Sequence, residues 1–219
     1  MRKIIAFVLL ALLTQIAYSQ MPDKFVKAME SKVAMLDSIQ TAEGWIDMAN
    51  AFERIANAEK TQWLPYYYAA FSNVMAGYMM GSGNAMGGDP EKTDPLADKA
   101  EKLLNAAEAM EKDNSEIFVV KKMIASLRMM ADPMNRYMTY GPVAATALAR
   151  AKALSPDNPR VYILEAQDKF YTPEQFGGSK TEAKELFLKA YKEFEIFKPA
   201  SPIHPDWGRS QVNYFLTQF

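Results

Sequence analysis

Apolar residues recur along most of this chain at intervals of three and four, the spacing that places them on one face of an α-helix. The clearest stretch has apolar residues at offsets of 0, 3, 4, 7, 11 and 14: Ala183, Leu186, Phe187, Ala190, Phe194 and Phe197. Glu and Lys fill the opposite face, so one face is expected to be buried and the other solvated. No stretch alternates apolar and polar residues over enough positions to predict a strand. The pattern therefore predicts an all-α fold.

Start and stop signals divide the mature chain into nine predicted helices. Asn158 followed by Pro159 marks one start, because asparagine accepts a free backbone N–H and proline lacks the N–H that a first helical residue leaves unpaired. Asp94 is likewise predicted to cap the helix that begins with Pro95. The predicted helices span residues 22–38, 42–58, 63–80, 95–111, 115–131, 135–154, 159–171, 180–197 and 206–218.

Three of these helices share a small, large, small triplet at positions i, i+4 and i+7. The triplets are Ala100, Leu104 and Ala107, then Ala144, Leu148 and Ala151, then Ala183, Phe187 and Ala190. Alanines at these places let two helices approach closely, while the large residue fills the gap between them. This pattern resembles the second helix of a tetratricopeptide repeat (TPR).

The TPR resemblance implies a right-handed α-solenoid of antiparallel helix pairs, a TPR-like superhelix. About four pairs would be followed by a C-terminal capping helix. The triplets are 44 and then 39 residues apart, against about 34 in the regular repeat, so the repeat is degenerate. Residues 20–219 are expected to form a single domain of this kind.

The N-terminus predicts a secretory signal peptide at residues 1–19. Arg2 and Lys3 precede an apolar stretch that begins at Ile4, and small residues flank Tyr18 before the expected cleavage site at Gln20. The apolar stretch is shorter than the roughly 20 residues of a permanent membrane helix, so cleavage is favoured over retention as an anchor. The mature protein is therefore expected to be periplasmic or secreted, with no membrane span.

Charge and cysteine content exclude several kinds of partner and chemistry. The chain has 25 basic and 26 acidic residues, and removal of Arg2 and Lys3 leaves 23 against 26, a formal charge of −3. No basic cluster interleaves with aromatic residues, so nucleic acid is not an expected partner. Cysteine is absent, which rules out disulfides, thiol catalysis and a cysteine-linked lipid anchor.

The run Gly177-Gly178-Ser179-Lys180 resembles the end of a phosphate-binding loop, but the full motif is missing. A P-loop needs glycines directly before the lysine and five residues earlier, where Ser179 and Glu174 stand. Ser179 is instead predicted to cap the next helix, with Glu182 as its reciprocal partner.

No motif predicts a cofactor, a metal site or an enzyme. The acidic loop with Asp89, Glu91 and Asp94 leaves calcium as a minor alternative, although its spacing fits no calcium loop signature. His204 is the only histidine and lies between two prolines, so a turn residue is favoured over a catalytic one.

The TPR resemblance also implies a concave groove lined by the first helix of each pair. The candidate binding residues are then Leu64, Tyr67, Phe71, Met75, Val119, Met123, Arg160, Ile163, Gln167 and Tyr171. The alternative is that these residues pack against the N-terminal helices or a second copy of the chain, and the sequence leaves a homo-oligomer open.

The leading functional hypothesis is a non-catalytic scaffold or adaptor of the bacterial cell envelope that binds a protein or peptide in the groove. The alternative is a small-molecule-binding accessory protein of envelope transport, which needs an enclosed pocket. A third hypothesis is a hydrolase whose site the sequence does not reveal.

Overall fold

The structure is a computed structural model that describes residues 23–81 and 88–219. In these two ranges the chain forms α-helices and no strand, which confirms the all-α prediction. The helices are α1 Asp23–Val33, α2 Ala42–Ala58, α3 Trp63–Gly81, α4 Pro90–Met110, α5 Ser115–Ala131, α6 Pro133–Leu154, α7 Pro159–Tyr171, α8 Lys180–Ile196 and α9 Arg209–Leu216. The predicted signal peptide lies outside the described residues.

The predicted start of α4 is wrong. The helix begins at Pro90, and its cap is Asp89, whose carboxylate accepts the Glu91 N–H at 3.1 Å. Pro95 lies inside the helix, which therefore lacks one backbone hydrogen bond at that position. Asp94 binds the guanidinium of Arg136 through both carboxylate oxygens, at 2.7 and 2.8 Å, and so ties α4 to α6.

Two other predicted caps are found, although the helix predicted over 22–38 ends at Val33. Asn158 accepts the Arg160 N–H at 3.0 Å, and Ser179 accepts the Glu182 N–H at 3.1 Å, so both predicted caps are confirmed. α6 begins at Pro133, two residues before its predicted start, because Asp132 caps it. α9 spans only residues 209–216 of the predicted 206–218.

Each helix packs mainly against its neighbours in the sequence. The closest pairs are α2 with α3, α3 with α4, α5 with α6, and α7 with α8. In addition α3 contacts α5, and α5 contacts α7, so these three helices lie side by side in one row. The approach of α3 to α5 requires glycine at position 77, since a Cβ there would lie 2.5 Å from a methyl group of Leu127.

The alanine triplets are part of these contacts. All six alanines are buried, and Leu104 and Phe187 between them are buried as well. Leu148 is half-buried and packs against the larger core. The interpretation of the triplets as helix-packing positions is therefore confirmed.

Two apolar cores lie on either side of α7. The larger core draws on α1 to α6, and α7 adds Val161 and Leu164. The smaller core combines Tyr162, Ile163 and Ala166 of α7 with side chains of α8 and α9. The ion pairs Lys122–Asp168 at 2.6 Å and Lys152–Glu165 at 2.7 Å join α7 to α5 and α6.

No described helix is both long enough and apolar enough to cross a bilayer.

Replacement of a triplet alanine is expected to overpack the helix contacts. Ala190→Leu should lower the free energy of unfolding by ~1–3 kcal/mol, because Ala190 is fully buried between α7 and α8. Urea denaturation followed by circular dichroism measures the loss. Ala109→Leu on the exposed face of α4 is the control and should change stability little. Equal effects of the two substitutions would contradict close packing at Ala190.

Candidate functional site

The ten residues predicted to line a groove all lie on α3, α5 and α7, but little of their surface is free. Seven are buried: Leu64, Tyr67, Phe71, Val119, Met123, Arg160 and Ile163. Met75 and Gln167 are half-buried, and Tyr171 is 68 % exposed. A binding role for the set stays a prediction.

The segment that joins α8 to α9, residues 197–208, covers part of this row and is named here the C-terminal strap. Trp207 of the strap stacks on Phe71 with ring centroids 4.7 Å apart, and its indole N–H donates to the Tyr67 hydroxyl at 2.9 Å. Ile203 is buried in the larger core. The chain thus places its own C-terminal segment where a groove ligand was predicted.

His204 helps to hold the strap in place. Its Nδ1 shares a hydrogen bond of 2.7 Å with the Ser201 hydroxyl, and its ring meets that of Trp63 edge-on at 5.9 Å. Burial lowers the pKa of His204 below its ordinary value, and the more distant Glu116 only partly opposes this. The histidine therefore favours its neutral form in the folded protein.

A buried ion pair lies beneath the strap. The Arg160 side chain is fully buried, and its Nε and Nη2 donate to the Glu116 carboxylate at 2.6–2.9 Å. Asn158 Nδ2 and the Tyr67 hydroxyl also donate to this carboxylate, at 2.7 and 3.3 Å. Burial alone would lower the pKa of Arg160, but Glu116 outweighs it and holds that pKa above its ordinary value.

Strap and ion pair are connected through aromatic rings. The Arg160 guanidinium lies 4.6 Å from the ring centroid of Phe197 and 5.8 Å from that of Trp207, within cation–π range. Gly208 ends the strap with φ +113°, and a Cβ there would lie 2.6 Å from Ile163 Cδ1. Glycine at this position lets the strap turn directly into α9 against α7.

Free aromatic surface occurs instead at the end of α7 and on α9. The C-terminal aromatic cluster consists of Phe170, Tyr171, Tyr214, Phe215 and Phe219. Phe170 is its centre, with ring centroids 5.1 Å from Tyr171, 5.3 Å from Phe215 and 5.6 Å from Phe219. Tyr171, Tyr214 and Phe219 are exposed, so the cluster presents aromatic surface to solvent.

A cavity of about 310 Å³ lies beside the cluster. Its lining combines both chain segments that meet at the turn between α7 and α8: Lys169, Phe170, Tyr171, Thr172, Pro173, Glu174, Ser179 and Lys180. The Ser179 N–H donates to the Lys169 carbonyl at 2.9 Å, which fixes the start of α8 against the end of α7. The turn therefore brings lysine ammonium groups next to the exposed rings.

The two lysines of the cavity differ in their pairing. Lys169 binds the Glu182 carboxylate at 2.7 Å. Lys180 has no carboxylate partner in the described part of the chain, and its ammonium nitrogen lies 3.0 Å from the Phe170 ring centroid. Lys184 lies 5.8 Å from the Phe219 ring centroid. The site thus offers apolar ring faces together with unpaired positive charge, a combination that fits a flat apolar ligand with carboxylate groups.

Sequence reasoning identified only Tyr171 of this site. It missed Lys169, Phe170, Lys180 and Tyr214. The turn between α7 and α8 brings the first three together, and the packing of α9 against α7 adds Tyr214. The available signals were the aromatic residues near both segment ends and the lysine in the Gly-Gly-Ser-Lys run.

A solved structure that resembles this chain covers nearly its whole length. It is the HusA haemophore from Porphyromonas gingivalis, with 34 % sequence identity, a TM-score of 0.77, and coverage of 90 % of this chain and 94 % of that chain. The chain belongs to the HusA haemophore family. No family model matches it, and no match is found among curated proteins.

Membership of the HusA haemophore family changes the weight of the functional hypotheses. The solved relative is named for a small molecule, haem, so the comparison supports the small-molecule alternative better than the protein-binding scaffold. It agrees with an all-helical chain, while no matching family model names a tetratricopeptide repeat.

Removal of the Arg160 charge should strongly destabilise the folded protein. Arg160→Met leaves the Glu116 carboxylate buried without its cation and should lower the free energy of unfolding by ~3–5 kcal/mol. The double variant Arg160→Met/Glu116→Leu removes both charges and should lose less stability than the single variant. Urea unfolding of both variants measures the difference. A double variant as unstable as the single one would show that packing, rather than the unpaired charge, dominates.

Acid should weaken the fold through His204. Because its folded-state pKa lies below the ordinary 6.5, the unfolded chain binds the proton more readily as the pH falls through 6.5. The free energy of unfolding should therefore decrease below pH 6.5 and level off below the folded-state pKa. Urea unfolding across this range measures the slope, and His204→Gln should reduce it. An unchanged slope in His204→Gln would assign the pH dependence to other groups.

Proposed function

We propose that this protein binds haem at the C-terminal aromatic cluster and carries it outside the cytoplasm. The observation that supports the ligand is 34 % identity over 94 % of a haemophore chain. The observation that supports the position is the exposed aromatic cluster beside an unpaired lysine. Haem is a flat apolar ring with two carboxylate groups, so it needs both features.

The apolar ring of haem would lie against Tyr171 and Tyr214. Burial raises the pKa of Tyr171 and the neighbouring Tyr214 adds to the shift, so the Tyr171 hydroxyl stays protonated at neutral pH. An uncharged aromatic side chain is suited to stacking on a porphyrin face.

The carboxylates of haem would meet Lys180 and, after exchange of its partner Glu182, Lys169. Lys180 gains an anionic partner on binding, whereas a lysine already paired within the chain gains less. The 310 Å³ cavity at the turn would take an edge of the ring rather than all of it. Most of the macrocycle would then rest on the exposed tyrosines.

Binding without catalysis is part of the proposal. His204, the only histidine, is used in holding the strap to α3 through Ser201 and Trp63. We also infer that residues 20–219 act as one domain whose helix pairs form the TPR-like superhelix, because α3, α5 and α7 lie in one row and the alanine triplets are buried. The signal sequence predicted at residues 1–19 supports a periplasmic or secreted location.

A protein or peptide partner on the row of α3, α5 and α7 is the less supported function. Such a partner would have to displace Trp207 from Phe71 and Tyr67, or bind only the parts of the row that the strap leaves free. The comparison with a haemophore offers this function no support.

Haem titration followed by absorbance and by quenching of tryptophan fluorescence tests the proposal. Tyr171→Ala and Lys180→Glu should each weaken binding at least ~10-fold, because one removes a stacking face and the other reverses the charge that meets a carboxylate. Lys192→Glu, also on α8 but exposed and away from the cluster, should change the affinity less than ~2-fold.

The variants also test the identity of the ligand and the position of its site independently. Tight haem binding that is unchanged in Tyr171→Ala and Lys180→Glu would keep the ligand and overturn the position. Lack of haem binding by the wild-type chain would overturn the proposal as a whole. Circular dichroism of each variant checks that the helices are intact.

A further inference from the structure

The first half of α6 exposes several large apolar side chains. Met134 is 92 % exposed and Met138 is 81 % exposed, values unusual for large apolar side chains. Tyr137 and the preceding Met130 are exposed as well. These four residues are named here the α6 face, and clustered exposed apolar surface of this kind marks an interaction site.

Most of this face carries no charge. Residues 137–149 contain no Asp, Glu, Lys or Arg, although charged residues make up 23 % of the chain. Asp132, the cap of α6, lies at its start. The arginines that flank the region are already paired: Arg136 with Asp94 at 2.7 Å, and Arg128 with Asp98 and Glu101 at 2.8 Å. An anionic membrane therefore finds no unpaired arginine here, whereas an uncharged surface is not repelled.

Large and small residues follow one another along the face in a self-complementary order. Met134, Met138, Gly141 and Ala145 are spaced by four, three and four residues, so they form one stripe of the helix. In an antiparallel pair of α6 helices with a two-fold axis between Thr139 and Tyr140, each Met138 faces Gly141 of the other copy. Each Met134 then faces Ala145.

Gly141 lies beside an aromatic ring. The three atoms nearest to a Cβ built at Gly141 belong to its own Tyr137, at 3.5–3.8 Å, an ordinary van der Waals distance. Methionine is flexible and polarizable, and it packs well against aromatic edges. In such a pair, the methionines of each copy would pack into the space beside Gly141 and Ala145 of the other copy.

We propose that the α6 face is the interface of a two-fold symmetric dimer of this chain. The exposed apolar side chains offer on the order of 600 Å² per copy, near the roughly 800 Å² per partner of a standard specific interface. A two-fold axis uses the same patch on both copies, which agrees with the self-complementary stripe. The proposal does not depend on the ligand.

Sedimentation equilibrium of the mature wild-type chain at micromolar concentrations tests the dimer. The wild type should show a concentration-dependent dimer, and Met138→Glu should weaken it at least ~10-fold by placing an unpaired charge in the interface. Leu188→Glu places the same charge on an exposed apolar position of α8 and should leave the association unchanged. A wild type that stays monomeric, or a dimer that Met138→Glu does not affect, would overturn the proposal.

A swap of large and small residues tests the register. Met138→Ala leaves the space over Gly141 empty, and Gly141→Met makes two methionines collide, so each single variant should dimerise more weakly than the wild type. The double variant Met138→Ala/Gly141→Met restores one large and one small residue in each contact and should recover the dimer. Additive loss in the double variant would overturn the two-fold register.

Other occupants of the α6 face give different results. Binding of the wild type to neutral phosphatidylcholine vesicles, lost in Met138→Glu and without self-association, would assign the face to a lipid surface and overturn the dimer. Thermal unfolding of every variant confirms that a change in association is not a loss of folding.

Discussion

The buried contact between Arg160 and Glu116 decides how the two parts of this molecule fit together. A buried charge is tolerated only when its partner and its hydrogen bonds are in place, and here the carboxylate accepts from Arg160, Asn158 and Tyr67. The pair joins α7, which separates the two cores, to α5. The same guanidinium lies against the rings of Phe197 and Trp207 in the strap. The position of α7 and the path of the strap therefore share this buried polar contact.

The strap in turn determines which surface is left for a ligand. By placing Trp207 on Phe71 and Tyr67, it covers the row of helices that the repeat resemblance marks as a groove. The strap then leads into α9, which packs at the end of α7, where the ring centroids of Phe215 and Phe170 are 5.3 Å apart. The strap thus covers part of the row of α3, α5 and α7 and also positions the C-terminal aromatic cluster. The exposed rings and unpaired Lys180 lie near the end of the strap.

Local sequence signals predicted the helices well because the periodicity and the caps are local properties. Asn158 and Ser179 cap as expected, and the alanine triplets are buried. The start of α4 was predicted wrongly because two Asp-Pro pairs, at residues 89–90 and 94–95, give the same signal, and only contact with Arg136 shows that Asp94 is used elsewhere. The burial of Tyr67 was not predictable, since its partner Trp207 is 140 residues away. The same holds for the aromatic cluster, whose members meet only when α9 packs back.

Charge separates the two exposed apolar surfaces of this chain. Rings at the end of α7 are accompanied by Lys180 and Lys184, so a ligand that is apolar and also anionic gains from both features. Beside the methionines on α6, the nearest arginines are neutralised by carboxylates of α4. An anionic ring bound at the α6 face would find no unpaired cation there. An uncharged helix bound at the C-terminal aromatic cluster would leave the lysines on α8 unpaired. Since the two surfaces share no residue, ligand binding and self-association can each be altered without changing the residues of the other.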